Sequence, residues 1–118
     1  MPVSYINHHG RKILHVNFKD IKTKETVMQD IDLMAKFYEE STEKIYLLLD
    51  VRGTFTDPDV MDKLKHYGKT VFKGKSEKRA ILGVGGIKKI LLRAYSMVTG
   101  TNVTPFEDEE KAKDYLAN

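Results

Sequence analysis

Asp50 closes an apolar run, IYLLLD at 45–50, and is followed by Arg52, Gly53 and Thr54. A carboxylate there stands at the carboxyl end of a strand, where open α/β sheets hold their ligands. It would attack phosphorus only with a bound magnesium ion beside it and a second acid to protonate the leaving group. Arg52 occupies the place of that acid, and its charge opposes the metal. Asp50 is therefore expected to pair with a nearby cation or to accept from loop amides, with Gly53 allowing the turn. Asp57 and Asp59 would complete a magnesium-binding acidic cluster with Asp50. Asp57-Pro58 also reads as a helix start, which already accounts for Asp57 as the cap and Asp59 as a first-turn charge.

LLLDVRGTF resembles the signature of the haloacid-dehalogenase phosphatases, an apolar strand followed by D-x-D-G-T, with Asp50, Arg52, Gly53 and Thr54 filling the frame. The resemblance would make Asp50 the nucleophile of a phosphoryl transfer. Arginine in place of the second acid departs from it, no paired-Asp metal motif follows a late apolar strand, and 118 residues are few for that fold plus its cap. Asp50-dependent phosphoryl transfer stands as the contrasting, less favoured hypothesis.

A second candidate is ILGVGGIKK at 81–89, where Gly85 and Gly86 lead into a helix opening with Lys88 and Lys89. Free amides, the positive helix end and two lysines suit an anion. The spacing matches neither the dinucleotide fingerprint nor a P-loop, so a tight strand-to-helix turn is the plainer reading. The helix that follows is cationic, and Leu92 and Met97 widen its apolar surface, which suits contact with an apolar ligand or a membrane surface. His8, His9, His15 and His66 show no metal-ligand spacing, and no metal or other cofactor is expected. No nucleophile elbow supports a serine hydrolase. No nucleic-acid-reading module matches, and Tyr67 and Tyr95 fall on stripes expected to be buried, so nucleic acid is not an expected partner.

The elements that must position these residues follow from periodicity. Residues 3–18 alternate as a hairpin around Gly10, with His15 on the wetter side. A helix begins after Thr23, burying Val27, Ile31, Met34, Ala35 and Tyr38; a central strand covers 44–51; a second helix runs 58–73. A strand at 79–84 precedes a third helix at 86–98 with the stripe Ile87, Ile90, Leu91, Ala94, Tyr95 and Val98. A short edge strand at 102–106 and a last helix burying Ala112, Tyr115 and Leu116 complete the chain. The order β-β-α-β-α-β-α-β-α predicts one α/β domain over 1–118. Its five-stranded sheet is mostly parallel, with an antiparallel N-terminal hairpin and four covering helices.

Composition narrows the setting. The chain has no cysteine, which excludes a disulfide scaffold, a thiolate metal site and a cysteine nucleophile. No apolar run approaches the roughly 20 residues that span a bilayer, so the expected location is cytoplasmic. The net charge of +3 gathers in residues 59–93, which hold ten basic and three acidic side chains. Such a block suits an anionic partner only if folding brings it onto one surface.

The element order, IYLLLDVRG at 45–53, RAILGVGG at 79–86 and PFEDEEKAKDYL at 105–116 together resemble the SpoIIAA-like superfamily, in its branch of small prokaryotic STAS/CRAL-TRIO-like proteins. In that branch the last strand ends in Phe, followed by acids, a mid-helix Ala and an aromatic-Leu pair. Phe106, Asp108, Ala112, Tyr115 and Leu116 stand in those places, with tyrosine where tryptophan is usual. The resemblance implies a non-enzymatic regulatory or binding domain. In anti-sigma-factor antagonists a kinase phosphorylates a D-S-[ST]-G-type loop at the start of the second helix. Here that loop reads TFTDPD, which leaves Thr54 and Thr56 as the candidate phosphoacceptors and Asp50, Arg52, Gly53 and Asp57 as the ligand or partner loop. Lipid-carrier relatives imply instead a small hydrophobic ligand beneath a movable helix. The expected partners are thus a protein, or a small apolar or anionic ligand, with peripheral membrane contact and homodimerisation through an edge strand also open.

Overall fold

The computed structural model describes residues 2–118. It contains β1 (Val3–His8), β2 (Arg11–Asn17), α1 (Lys24–Glu40), β3 (Ile45–Asp50), α2 (Pro58–Tyr67), β4 (Ser76–Leu82), α3 (Ile87–Thr99), β5 (Thr104–Phe106) and α4 (Glu109–Ala117); a single π-type turn, Gly68–Phe72, extends α2. The five strands lie in the order β1-β2-β3-β4-β5, with β1 antiparallel to β2 and the rest parallel. The predicted fold class is what the chain adopts. Local chemistry sets the boundaries: Thr23 caps α1, Asp57 caps α2 ahead of Pro58, and Asp108 caps α4, each side chain accepting a first-turn backbone N–H.

Each parallel strand is added on the same side of its predecessor, and crossovers of one hand then put α1, α2 and α3 on one face of the sheet. Leu14, Val16, Ile45 and Leu47 meet Val27, Ile31, Met34, Ala35, Tyr38 and Val60 there. The other face, formed by Ile13, Leu48, Ala80 and Leu82, is covered by α4 through Ala112 and Leu116. Tyr115 is only half-buried, its ring 5.2 Å from that of Phe106. Because α4 returns across this face, His15 does not lie on a wet side as its strand pattern suggested; its Nε2 is buried.

The third helix departs from its predicted packing. Ile87, Ile90 and Val98 of the expected stripe are exposed, as is Met97 at 80%, and only Thr99 is buried. Leu91 and Tyr95 of the stripe do turn inward, joined by Leu92 from outside it. The helix is anchored at its carboxyl end, where a Cβ on Gly68 would stand 2.6 Å from Thr99 Cγ2 and 2.7 Å from Tyr95 Oη. Glycine permits that approach. No helix among the described residues is long and apolar enough to cross a membrane.

Candidate functional site

Between the amino-terminal part of α3 and the sheet lies a cavity of about 90 Å³, walled by Phe18, Val27, Phe55, Val60, Ile81 and Leu92. A second apolar cavity of about 70 Å³, bounded by Leu47, Phe72 and Tyr95, lies on the other side of Ile81 and Leu92. These two side chains therefore form the partition between the voids. One lysine borders the first cavity: Lys88 is half-buried in its apolar lining and donates from Nζ to the carbonyl of Val51 at 2.7 Å. Burial, with help from nearby Lys22, lowers its pKa, and Asp50 opposes the shift. An ammonium in apolar surroundings with one carbonyl partner retains two donors.

The sequence candidates divide accordingly. Lys88 and Leu92, placed separately as anion and apolar contacts, meet at one cavity. Thr54 and Thr56 also line it, half-buried, with Thr54 Oγ1 donating to the carbonyl of Ile21 at 3.3 Å. Lys89 and Met97 point outward, and Gly85 and Gly86 are exposed, Gly86 starting α3 with no side-chain cap. The basic block is dispersed: Lys63 pairs with Asp32, Lys78 donates to the carbonyl of Tyr115, and Arg79 donates to that of Asn102.

The acids around the 52–59 loop do not converge. Asp57 accepts from the N–H of Val60 at 2.9 Å, and Lys24 bridges Asp57 and Asp59. Asp50 is buried and held by Arg52, whose Nε donates to Oδ1 at 3.0 Å and Nη2 to Oδ2 at 2.7 Å, while the Arg52 N–H also reaches Oδ1 at 3.0 Å. Burial pushes the Asp50 carboxyl up, but the guanidinium and the backbone donor outweigh it and hold it below its ordinary value. Arg52 Nη2 continues to Glu109 at 3.1 Å, and Glu109 pairs with Lys113 at 2.9 Å. Both carboxylate oxygens of Asp50 thus accept from Arg52. Beside this network His15 Nε2 has no hydrogen-bond partner.

Burial lowers the His15 pKa, against the attraction of Glu109 and Asp50. The unfolded chain takes up this proton near 6.5 and the folded chain does so lower, so the contribution of His15 to stability is present above that value and lost as pH falls. Urea unfolding between about pH 8 and about pH 5 is expected to show a loss of stability that is smaller in His15→Phe. Equal slopes would contradict the assignment.

No protein-family model matches the chain, and no curated protein is significantly similar to it. Among solved structures it is similar to an uncharacterised protein of the DUF3478 family from Shewanella loihica PV-4, described as having a SpoIIAA-like fold. The two superpose with a TM-score of 0.69 at 24% identity, covering 97% of this chain and 91% of that one. The chain has a SpoIIAA-like fold.

Within the SpoIIAA-like fold, the 52–59 loop and the mouth of the α3 cavity lie at the carboxyl ends of β3 and β4, as parallel sheets dictate. Sequence reasoning missed three participants. Phe55 and Val60 line the cavity, and neither stands out in the sequence from loop or core. Glu109, 57 positions from Arg52, carries no local signal beyond its first-turn charge. Alternation placed His15 on the polar face of its strand, opposite the apolar residues, and could not show that a helix would cover it.

Proposed function

We propose that this SpoIIAA-like domain is a non-catalytic binding module for a small amphipathic anion, its apolar chain under α3 and its head at Lys88. The observation that carries the reading is a single half-buried lysine in the wall of a largely apolar cavity beneath a helix that leaves much of its own apolar surface in water. Together the two voids reach the size, roughly 150 Å³, at which an apolar cavity admits a benzene-sized molecule. A longer chain requires Leu92 to swing aside or α3 to lift about its anchored carboxyl end. A carboxylate or phosphate head is the chemistry that a half-buried ammonium with spare donors recognises. The engagement of Asp50 by Arg52 supports a binding role over phosphoryl transfer.

The outer side of α3 favours loading at a membrane surface. Exposed Ile87, Ile90 and Met97 lie on a helix that also exposes Lys89 and Arg93, the composition of an interfacial helix that lies on anionic lipid. Native mass spectrometry of freshly purified protein tests the binding reading; an acyl-sized adduct released on denaturation is expected. Bare protein that also fails to take up added fatty acid would contradict it. Magnesium-dependent hydrolysis of a phosphomonoester, lost in Asp50→Asn, would replace it with the enzymatic alternative.

A further inference from the structure

We propose that His8, His9 and Asp114 form a site for a divalent transition metal of the zinc class, which clamps the hairpin turn to α4. One potential ligand atom from each of the three lies within 4.8 Å of the other two. His8 Nε2 already stands 2.8 Å from Asp114 Oδ1, and the two imidazoles stack with centroids 4.1 Å apart. The residues come from opposite ends of the chain, 106 positions apart, so no spacing in the sequence shows them.

The donor set selects the metal. Two imidazole nitrogens and one carboxylate oxygen suit zinc, nickel or copper, whereas magnesium and calcium prefer oxygen alone. Around a tetrahedral ion with bonds near 2.0–2.1 Å, ligand atoms lie about 3.3 Å apart. The three atoms therefore need to draw in by no more than about 1.5 Å from their present limit. His8, with 14% of its side chain exposed, is the fixed ligand, and His9, exposed on the turn, is the one that moves. A water completes the fourth position. When the metal takes Nε2 of His8, the ring N–H sits on Nδ1 and coordination replaces the hydrogen bond to Asp114.

The turn itself points the same way. His9 and Gly10 have φ of 50° and 80°, the positive pair required by a two-residue type I′ hairpin. Asn-Gly or Asp-Gly satisfies that backbone best and histidine is also enriched there; the turn sets the His9 ring against that of His8. Metal bound here would tie β1 to the helix that covers Asp50, Arg52 and His15.

Isothermal titration of tag-free protein with zinc chloride tests the site, alongside thermal melts with zinc and with magnesium. One zinc per chain is expected, with a rise in Tm that magnesium does not reproduce. His9→Asn, which keeps a favoured turn residue, and Asp114→Asn, at an exposed position, are each expected to weaken zinc at least tenfold without unfolding the chain. The absence of zinc binding would overturn the proposal, as would zinc affinity unchanged by both substitutions or lost instead in His66→Ala.

Discussion

Leu116→Ala is expected to destabilise the protein by about 3 kcal/mol, the cost of deleting a fully buried leucine and leaving a void. The effect is large because α4 alone covers its face of the sheet. Leu116 packs with Ile13, Leu48, Ala80, Leu82 and Ala112, and no second helix can close over the gap. Leu92→Ala on α3 removes a residue of the same size, yet it is expected to cost about 1 kcal/mol or less. That side chain is only half-buried and already borders two voids, so its removal enlarges space that exists. Urea denaturation of both variants checks the contrast. Equal losses would mean that α3 is packed as firmly as α4, which the account denies.

Arg52→Met is the second large effect, with an expected loss of about 2–3 kcal/mol at neutral pH. Removing one partner of a buried pair typically costs about 3–5 kcal/mol, and the partial exposure of Arg52, 38% of its side chain, reduces that figure. The carboxylate left behind has 3% of its side chain exposed and keeps only the backbone N–H at residue 52. Asp50→Asn should cost less, because the freed guanidinium retains Glu109 and reaches water. The pH dependence follows in sign. In the native chain the Asp50 carboxyl titrates below its ordinary 3.8, so its contribution is present above that value and lost as pH falls through the folded pKa. In Arg52→Met burial acts with one donor against it, the carboxyl rises, and protonation relieves the stranded charge. The gap between the two proteins should therefore narrow in acid. A gap independent of pH would contradict a buried-charge origin.

What could be read from the sequence and what could not differ in physical kind. Thr23 and Asp57-Pro58 mark helix starts because capping is local, settled within three or four residues. The unbroken apolar run at 45–50 implied a strand covered on both faces, and β3 is the middle of five. Asp50 was expected to meet a cation or loop amides; Arg52, two residues on, supplies both. Periodicity misplaced Ile87, Ile90 and Val98 of α3 because a hydrophobic stripe shows which side is apolar and says nothing of how closely the sheet approaches it. Leu92, off that stripe, divides the cavities together with Ile81. The partnership of Asp114 with the first hairpin depends on α4 crossing the sheet, a long-range event without a local signature.

The central claim is that Lys88 and the apolar cavity under α3 act as one site. Calorimetric titration with octanoate and with octanol, on the native chain and on Lys88→Met, tests it most directly. Octanoate is expected to bind one per chain and more tightly than octanol by roughly tenfold or more, the worth of a charge-assisted hydrogen bond in a dry setting. Lys88→Met is expected to abolish that preference while leaving octanol binding in place. Failure of the native chain to bind octanoate, or a preference for it that survives Lys88→Met, would contradict the account.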